Sequence, residues 1–197
     1  AVAAEIALIR GHARTIARSI AERVARFLPH RIIAAFEIVE QEVGLGGIPN
    51  AVVELLAQAG EGAHGVHSEM FTTGLMRLHE AGRVRNAKGL FDGVSIATFA
   101  MGSRALYDWL DGNEAVRFLP VDVVNDPAVI ARSARMVSIN GALAVDLFGQ
   151  VVADTIDGRQ FSGIGGHEDF LAGIGVSPEG RSLVCLPATF GGAAARR

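Results

Sequence analysis

Over residues 3–28, Ile6, Ile9, Ile16, Ile20, Val24 and Phe27 recur at helical spacing with Arg and Glu between them, and Pro29 stops the pattern. This stretch is predicted helical. Residues 32–39 form a mixed apolar run that suits strand or helix. Gly44-Leu45-Gly46-Gly47-Ile48-Pro49-Asn50 is a loop by composition, with a helix expected over residues 51–59. Residues 65–69 read as a short strand and 72–81 as a helix ended by Gly82, which suits a left-handed cap. Residues 94–101 are apolar and β-branched enough for a buried strand, and Ser103 is placed to cap a helix over 104–110, with Gly112 beyond it. Residues 116–124 read as another strand. Pro127 stands where a first helical turn accepts it, ahead of a helix over 128–134.

From Met136 the pattern changes to short extended runs over 136–140, 143–147 and 150–155, separated by Gly141 and Gly149. Asp157-Gly158 is a hairpin-type turn dipeptide. Strand–helix alternation followed by hairpins predicts an α/β fold, a mixed sheet flanked by helices. No internal repeat, low-complexity stretch or domain linker interrupts the 197 residues, so one core, or at most two, is expected.

Composition narrows this further. Half the residues are hydrophobic and 20% are charged, which excludes disorder, and a formal net charge of −3 gives no electrostatic reason to expect nucleic acid. One cysteine, Cys185, excludes an internal disulfide framework and fits a reducing cytoplasm. No apolar run is long enough for a membrane helix, and no basic-then-apolar leader opens the chain. A first residue of Ala and an end of Ala193-Ala194-Ala195-Arg196-Arg197 read as trimmed, so a fragment of a longer protein is expected.

Candidate chemistry centres on Glu69, in Gly65-Val66-His67-Ser68-Glu69-Met70-Phe71 between two glycine-rich turns. A carboxylate at the end of an apolar strand, facing loops whose N–H groups hold an oxyanion or phosphate, can run covalent acyl transfer without Ser or Cys. An acid near a helix start also simply suits the helix dipole. His64 and His67 stand close in sequence and could help keep Glu69 ionised, or be ordinary histidines. The loop from Gly44 to Gly47 ahead of a helix suits a phosphate or serves as a plain turn, since it matches neither the dinucleotide fingerprint nor a Walker loop. Ser162-Gly163-Ile164-Gly165-Gly166-His167-Glu168-Asp169-Phe170 offers a concave set of N–H donors or a tight hairpin loop. The nucleophile-elbow motif G-x-S-x-G and the zinc motif H-E-x-x-H are absent, and Cys185 reads as a small buried hydrophobe. No metal is expected.

Several segments in order carry a resemblance: Gly46-Gly47-Ile48-Pro49-Asn50-Ala51-Val52, His67-Ser68-Glu69-Met70, Thr98-Phe99-Ala100-Met101-Gly102-Ser103, Val121-Asp122-Val123-Val124-Asn125-Asp126-Pro127, Val145-Asp146-Leu147-Phe148-Gly149-Gln150, Gly158-Arg159-Gln160-Phe161-Ser162-Gly163-Ile164-Gly165-Gly166 and Leu186-Pro187-Ala188-Thr189. From about residue 44 to 189 the chain resembles the C-terminal half of the acetyl-CoA hydrolase/transferase family, in particular its 4-hydroxybutyrate CoA-transferase-like branch.

The resemblance implies a CoA-transferase-like domain of the NagB/RpiA type over 44–197, preceded by a connecting segment over 1–43. It implies CoA transfer between short-chain acyl-CoA and carboxylate through a glutamyl-CoA thioester, with coenzyme A as part of the substrate. Glu69 falls on the catalytic glutamate, Gly46, Gly47, Ile48, Pro49 and Asn50 on the CoA-binding loop, and Gly165 and Gly166 on a glycine pair near CoA and the reacting carbonyl. An N-terminal half is expected to wall the acyl pocket, and a homo-oligomer in the cytoplasm is expected. Acyl-CoA hydrolysis, or an inactive CoA-binding fragment, are the alternatives. His167-Glu168 stands where the family usually carries a smaller or amide side chain, which alters substrate choice or merely faces solvent.

Overall fold

The computed structural model describes residues 5–6, 18, 32–36, 48–58 and 63–186. Its central layer is a five-stranded sheet built from β1 (Glu5–Ile6), β2 (Ile32–Phe36), β3 (Gly65–Val66), β8 (Met136–Gly141) and β13 (Arg181–Cys185), in the order β1-β13-β8-β2-β3. Every pairing in it is parallel, with Ile32 opposite Met136, Phe36 opposite Asn140, and Arg181 opposite Val137. Parallel strands lie beneath helices on both faces, and this suits β8, whose first five residues, Ser138 and Asn140 included, are all buried.

Alternation along β8 assigns the two faces. Val137 and Ile139 join a core with Val52, Val53 and Leu56 of α1 (Ile48–Gln58) and with Leu75 and Leu78 of α2 (Thr73–Glu80). Met136 points the other way, into a smaller core with Val124, Ile130, Phe170 and Ile174. Full burial of each such side chain contributes about 1.5–3 kcal/mol.

Next to β3 the sheet continues in shorter pieces. β4 (Met70–Thr72) pairs with β6 (Phe99–Met101), β5 (Ser95–Ala97) pairs with β7 (Val116–Phe118), both parallel, and His67 bridges to Ile96. Helix α3 (Arg104–Leu110) follows, then α4 (Val121–Val124) and α5 (Pro127–Ile130). The antiparallel pairs are segregated into two hairpins, β9 (Ala144–Val145) with β10 (Val151–Val152) and β11 (Thr155–Ile156) with β12 (Arg159–Gln160), before α6 (His167–Val176). Asp157 and Gly158, at φ 49° and 74°, make the two-residue turn between β11 and β12.

Several predicted elements are revised. Glu5–Ile6 is extended and pairs with β13, not helical; Arg18 is helical, and the rest of the stretch over 3–28 lies outside the described residues. The strand over 65–69 stops at Val66 and resumes at Met70, and the one over 94–101 breaks at Thr98, leaving β6 largely exposed. The strand over 116–124 ends at Phe118. Pro120, with no N–H to give a ladder and a φ of −56°, stops it and opens α4. The helix over 128–134 is a single turn, Pro127–Ile130, capped by Asp126, whose side chain accepts the Ala128 N–H at 2.8 Å. Ser103 stands at the N-cap of α3 without a side-chain cap bond. Its own N–H instead goes to Thr73 Oγ1 at 3.0 Å.

The loop that leads from α2 to β5 is fastened to the end of β3. Lys88, almost wholly buried, donates from Nζ to the carbonyls of Val66 at 3.1 Å and Val94 at 2.5 Å, and burial pulls its pKa down to about 8.

Candidate active site

Glu69 occupies the bend between β3 and β4. Its carbonyl accepts the N–H groups of Thr98 at 2.8 Å and Phe99 at 3.2 Å, and Ser68 donates its own N–H to Ile96 at 3.1 Å. Both neighbouring strands therefore break at the same level and lock to each other across the break. An unbroken strand would point alternate side chains to fixed faces of a covered sheet; the bend frees one carboxylate to stand half-buried at the carboxyl end of β3. The carboxyl ends of parallel strands are where α/β sheets present ligand sites.

Three other segments meet that carboxylate. Asn125, at the C-terminal end of α4, donates from Nδ2 to Glu69 Oε2 at 2.6 Å. The same amide nitrogen lies 3.4 Å from Asp169 Oδ2 in the first turn of α6. Two carboxylates therefore demand a donor from one amide, which fixes its orientation with nitrogen toward them. Asn125 is 6% exposed, and its Oδ1 has no hydrogen-bond partner among the described residues.

The glycine pair completes the site. A Cβ on Gly166, the N-cap of α6, would collide with both Glu69 Oε2 and Asn125 Nδ2. Gly165 adopts φ +57°, and a Cβ there would lie 3.8 Å from Glu69 Oε1. Gly166 is glycine for space, and Gly165 for backbone conformation. The glycine-rich segment 162–166 thus lies against Glu69 and opens a helix, not a hairpin loop.

Of the two readings open for His67, support of the Glu69 charge and an ordinary histidine, the structure fits the second in charge state. It is wholly buried, and burial lowers its pKa to about 4, with the carbonyl of Val124 opposing and Lys88 adding to the fall. A neutral ring gives Glu69 no cationic support. Since a carbonyl only accepts, the ring's Nε2 carries the proton and donates to Val124 O at 2.7 Å. His64 is buried as well, its backbone held by Arg83, Arg85 and Asn86. His167 is half-buried with its pKa lowered by burial, which the neighbouring Glu168 opposes. Its Nε2 has no partner among the described residues.

Of the other predicted positions, Ile48, Pro49 and Asn50 form the first turn of α1, while Gly46 and Gly47 lie outside the described residues. Cys185 is buried in β13 as expected, its thiol pushed up to about 12 by burial. Asn125 and Asp169 are the members of the cluster that sequence reasoning did not single out. Both stand in conspicuous company, before Asp126-Pro127 and after Gly165-Gly166, but 56 residues separate Asn125 from Glu69 and no local spacing reports that contact.

A half-buried carboxylate with a preset amide donor, set against backbone without side chains, is an arrangement that can serve covalent acyl transfer. Residues 102–196 match the profile of the acetyl-CoA hydrolase/transferase C-terminal domain. The 4-hydroxybutyrate coenzyme A transferase of Clostridium kluyveri is 42% identical over 151 residues, 76% of this chain and 35% of that protein. Among solved structures, RipA from Yersinia pestis superposes with a TM-score of 0.80 at 32% identity, over 98% of this chain and 42% of that one. The 4-hydroxybutyrate CoA-transferase of Porphyromonas gingivalis gives 0.72 at 30% identity, over 98% and 43%. The chain belongs to the acetyl-CoA hydrolase/transferase family and has its CoA-transferase fold. The matched segment spans about a third of the C. kluyveri relative's length.

Proposed function

We propose that the protein carrying this chain transfers CoA between a short-chain acyl-CoA and a free carboxylate, with Glu69 as the nucleophile. The observation that carries this reading is the convergence of the Glu69 carboxylate, the Asn125 amide and the side-chain-free Gly166 at one point. In the first step a Glu69 carboxylate oxygen attacks the thioester carbonyl and the thiolate of CoA leaves, giving an acyl-glutamyl anhydride. The thiolate then attacks the glutamyl carbonyl, expelling the donor acid and leaving a glutamyl-CoA thioester. An acceptor carboxylate repeats the steps in reverse order, and Glu69 is regenerated.

Each attack on the glutamyl carbonyl places negative charge on an oxygen for which Asn125 Nδ2 is already a donor. Removing one such donor typically costs about 2.7–4 kcal/mol of activation free energy. Gly166 gives the thioester room to approach, and it caps the N-terminus of α6, whose first N–H groups have no partner within the helix. Residues 46–50 are assigned to the CoA moiety on the family resemblance. In this reading residues 44–197, with β1 and β2 completing their sheet, supply the catalytic domain, a further N-terminal domain walls the acyl pocket, and the enzyme is a cytoplasmic homo-oligomer that needs no metal.

The test is trapping. Incubating the native polypeptide with acyl-CoA and no acceptor acid should accumulate a CoA adduct that borohydride reduces at Glu69, located by peptide mass mapping. An adduct at another residue, or none in an active preparation, overturns the assignment. Free CoA released without acceptor as fast as CoA is transferred with it would make the protein a hydrolase instead.

A further inference from the structure

We infer that His67 is a positioning residue that holds the Asn125 amide on Glu69, through the backbone of α4 and the side of α6. This rests on the reading of Glu69 as nucleophile. His67 and Glu69 are two residues apart at the end of β3, and Val124 and Asn125 are adjacent at the end of α4. Two hydrogen bonds join the pairs in parallel: His67 Nε2 to Val124 O at 2.7 Å, and Asn125 Nδ2 to Glu69 Oε2 at 2.6 Å. The first leaves one backbone peptide little freedom, and the amide belongs to the next residue along.

The imidazole has a second contact. Phe170 meets it edge-to-face, with ring centroids 5.7 Å apart and planes at 89°. Phe170 follows Asp169, whose carboxylate shares the Asn125 amide, and lies four residues beyond Gly166, which faces Glu69. One buried ring therefore touches both elements that deliver groups to the carboxylate, α4 and α6. A short helix needs such a fastening. Val121–Val124 is a single turn with valine at three of its four positions and Asp122 at the other, all of weak helical preference, and Asn125 is bonded into it through its own N–H to Val121 O at 2.8 Å. Besides the His67 bond, the end of α4 is held by the packing of Val124 and by the backbone and side-chain bonds of Asn125.

The neutral state of the ring fits this role. Val124 O requires an N–H, which the Nε2–H tautomer supplies, and burial keeps a second proton off the ring at neutral pH. A charged imidazole is not needed and is not present.

The experiment compares His67→Gln, whose amide nitrogen takes the place of Nε2 and still donates, with His67→Met, of similar length and without a donor. In the native polypeptide, H67M should lower kcat about tenfold or more with KM for acyl-CoA unchanged, since a misplaced donor weakens the transition state and not substrate binding. H67Q should recover most of that loss. Independently of turnover, the side-chain amide resonance of Asn125, displaced by the carboxylate 2.6 Å away, should move toward its free position in H67M and stay in place in H67Q. A purely structural role would lower the melting temperature of both without moving that resonance.

The inference is overturned if H67M keeps the wild-type kcat and Asn125 resonance, or if both variants lose activity alike with the resonance fixed. Should H67M not fold, Phe170→Leu withdraws the ring's flank while keeping the imidazole, and the same fall in kcat and shift of the amide are expected. A wild-type protein with no transfer and no Glu69 adduct overturns the transferase reading, while the Asn125 resonance still decides the positioning role.

Discussion

At the scale of single residues, the glycine pair separates space from conformation. Gly166 has an ordinary φ of −79°, so alanine there strains no backbone, yet its Cβ would displace Glu69 Oε2 and Asn125 Nδ2. Gly165 is the reverse: its Cβ would make only van der Waals contact, and the cost is the left-handed backbone, roughly 1–2 kcal/mol. Gly166→Ala should therefore lower transfer by about a hundredfold or more with the fold retained, the size expected when one oxyanion donor is lost. Gly165→Ala should cost stability first. Turnover and thermal melts on both variants check this, and near-normal turnover in G166A would return the pair to a plain turn.

At the scale of elements, α6 is seated by a third glycine. A Cβ on Gly173 would lie 2.6 Å from Ile130 Cβ and 2.9 Å from the carbonyl of Pro127, so α5 and α6 approach through bare backbone. Gly173→Ala should push α6 off α5 and cost about 1–3 kcal/mol, as overpacking of a close contact does, measured by urea denaturation. Because α6 begins at the glycine pair, part of the transfer activity should go with it; unchanged stability would mean that the helix slides freely. Local pattern foresaw most element positions but not their breaks. The runs over 65–69 and 94–101 read as strands because their residues favour strand, while the bends at Glu69 and Thr98 exist only because each backbone locks to the other. The valines at 121, 123 and 124, which favour strand, hid α4, and the turn chemistry of Gly163-Ile164-Gly165-Gly166 hid the start of α6.

At the scale of the whole molecule, burial of neutral imidazoles makes the fold acid-sensitive. His67 and His79 each have a pKa near 4 in the folded protein, lowered mainly by burial from an ordinary 6.5. The unfolded chain thus takes up protons first as pH falls. The stabilisation is fully present above about pH 6.5 and is lost progressively toward pH 4. His67 alone accounts for something on the order of 3 kcal/mol over that window. Denaturant midpoints at pH 7, 6, 5 and 4 should fall in step. In H67Q the slope should be shallower by one site, and an equal slope would show that the ring does not stay neutral.

The sequence by itself determined the α/β class and the family and singled out Glu69 and the glycine pair as candidates, because each depends on what lies within a few residues: apolar periodicity, turn chemistry, and short motifs kept in order. The tertiary structure alone decided that the amide of Asn125 meets Glu69, that Asp169 shares it, and that His67 is a neutral fastening and not a charged neighbour. Those contacts join segments from the ends of β3, α4 and α6, and their distances follow from how a twisted parallel sheet and its covering helices close on one another. Burial settles the charge of His67, and burial is a property of the closed molecule, absent from any local stretch of the chain.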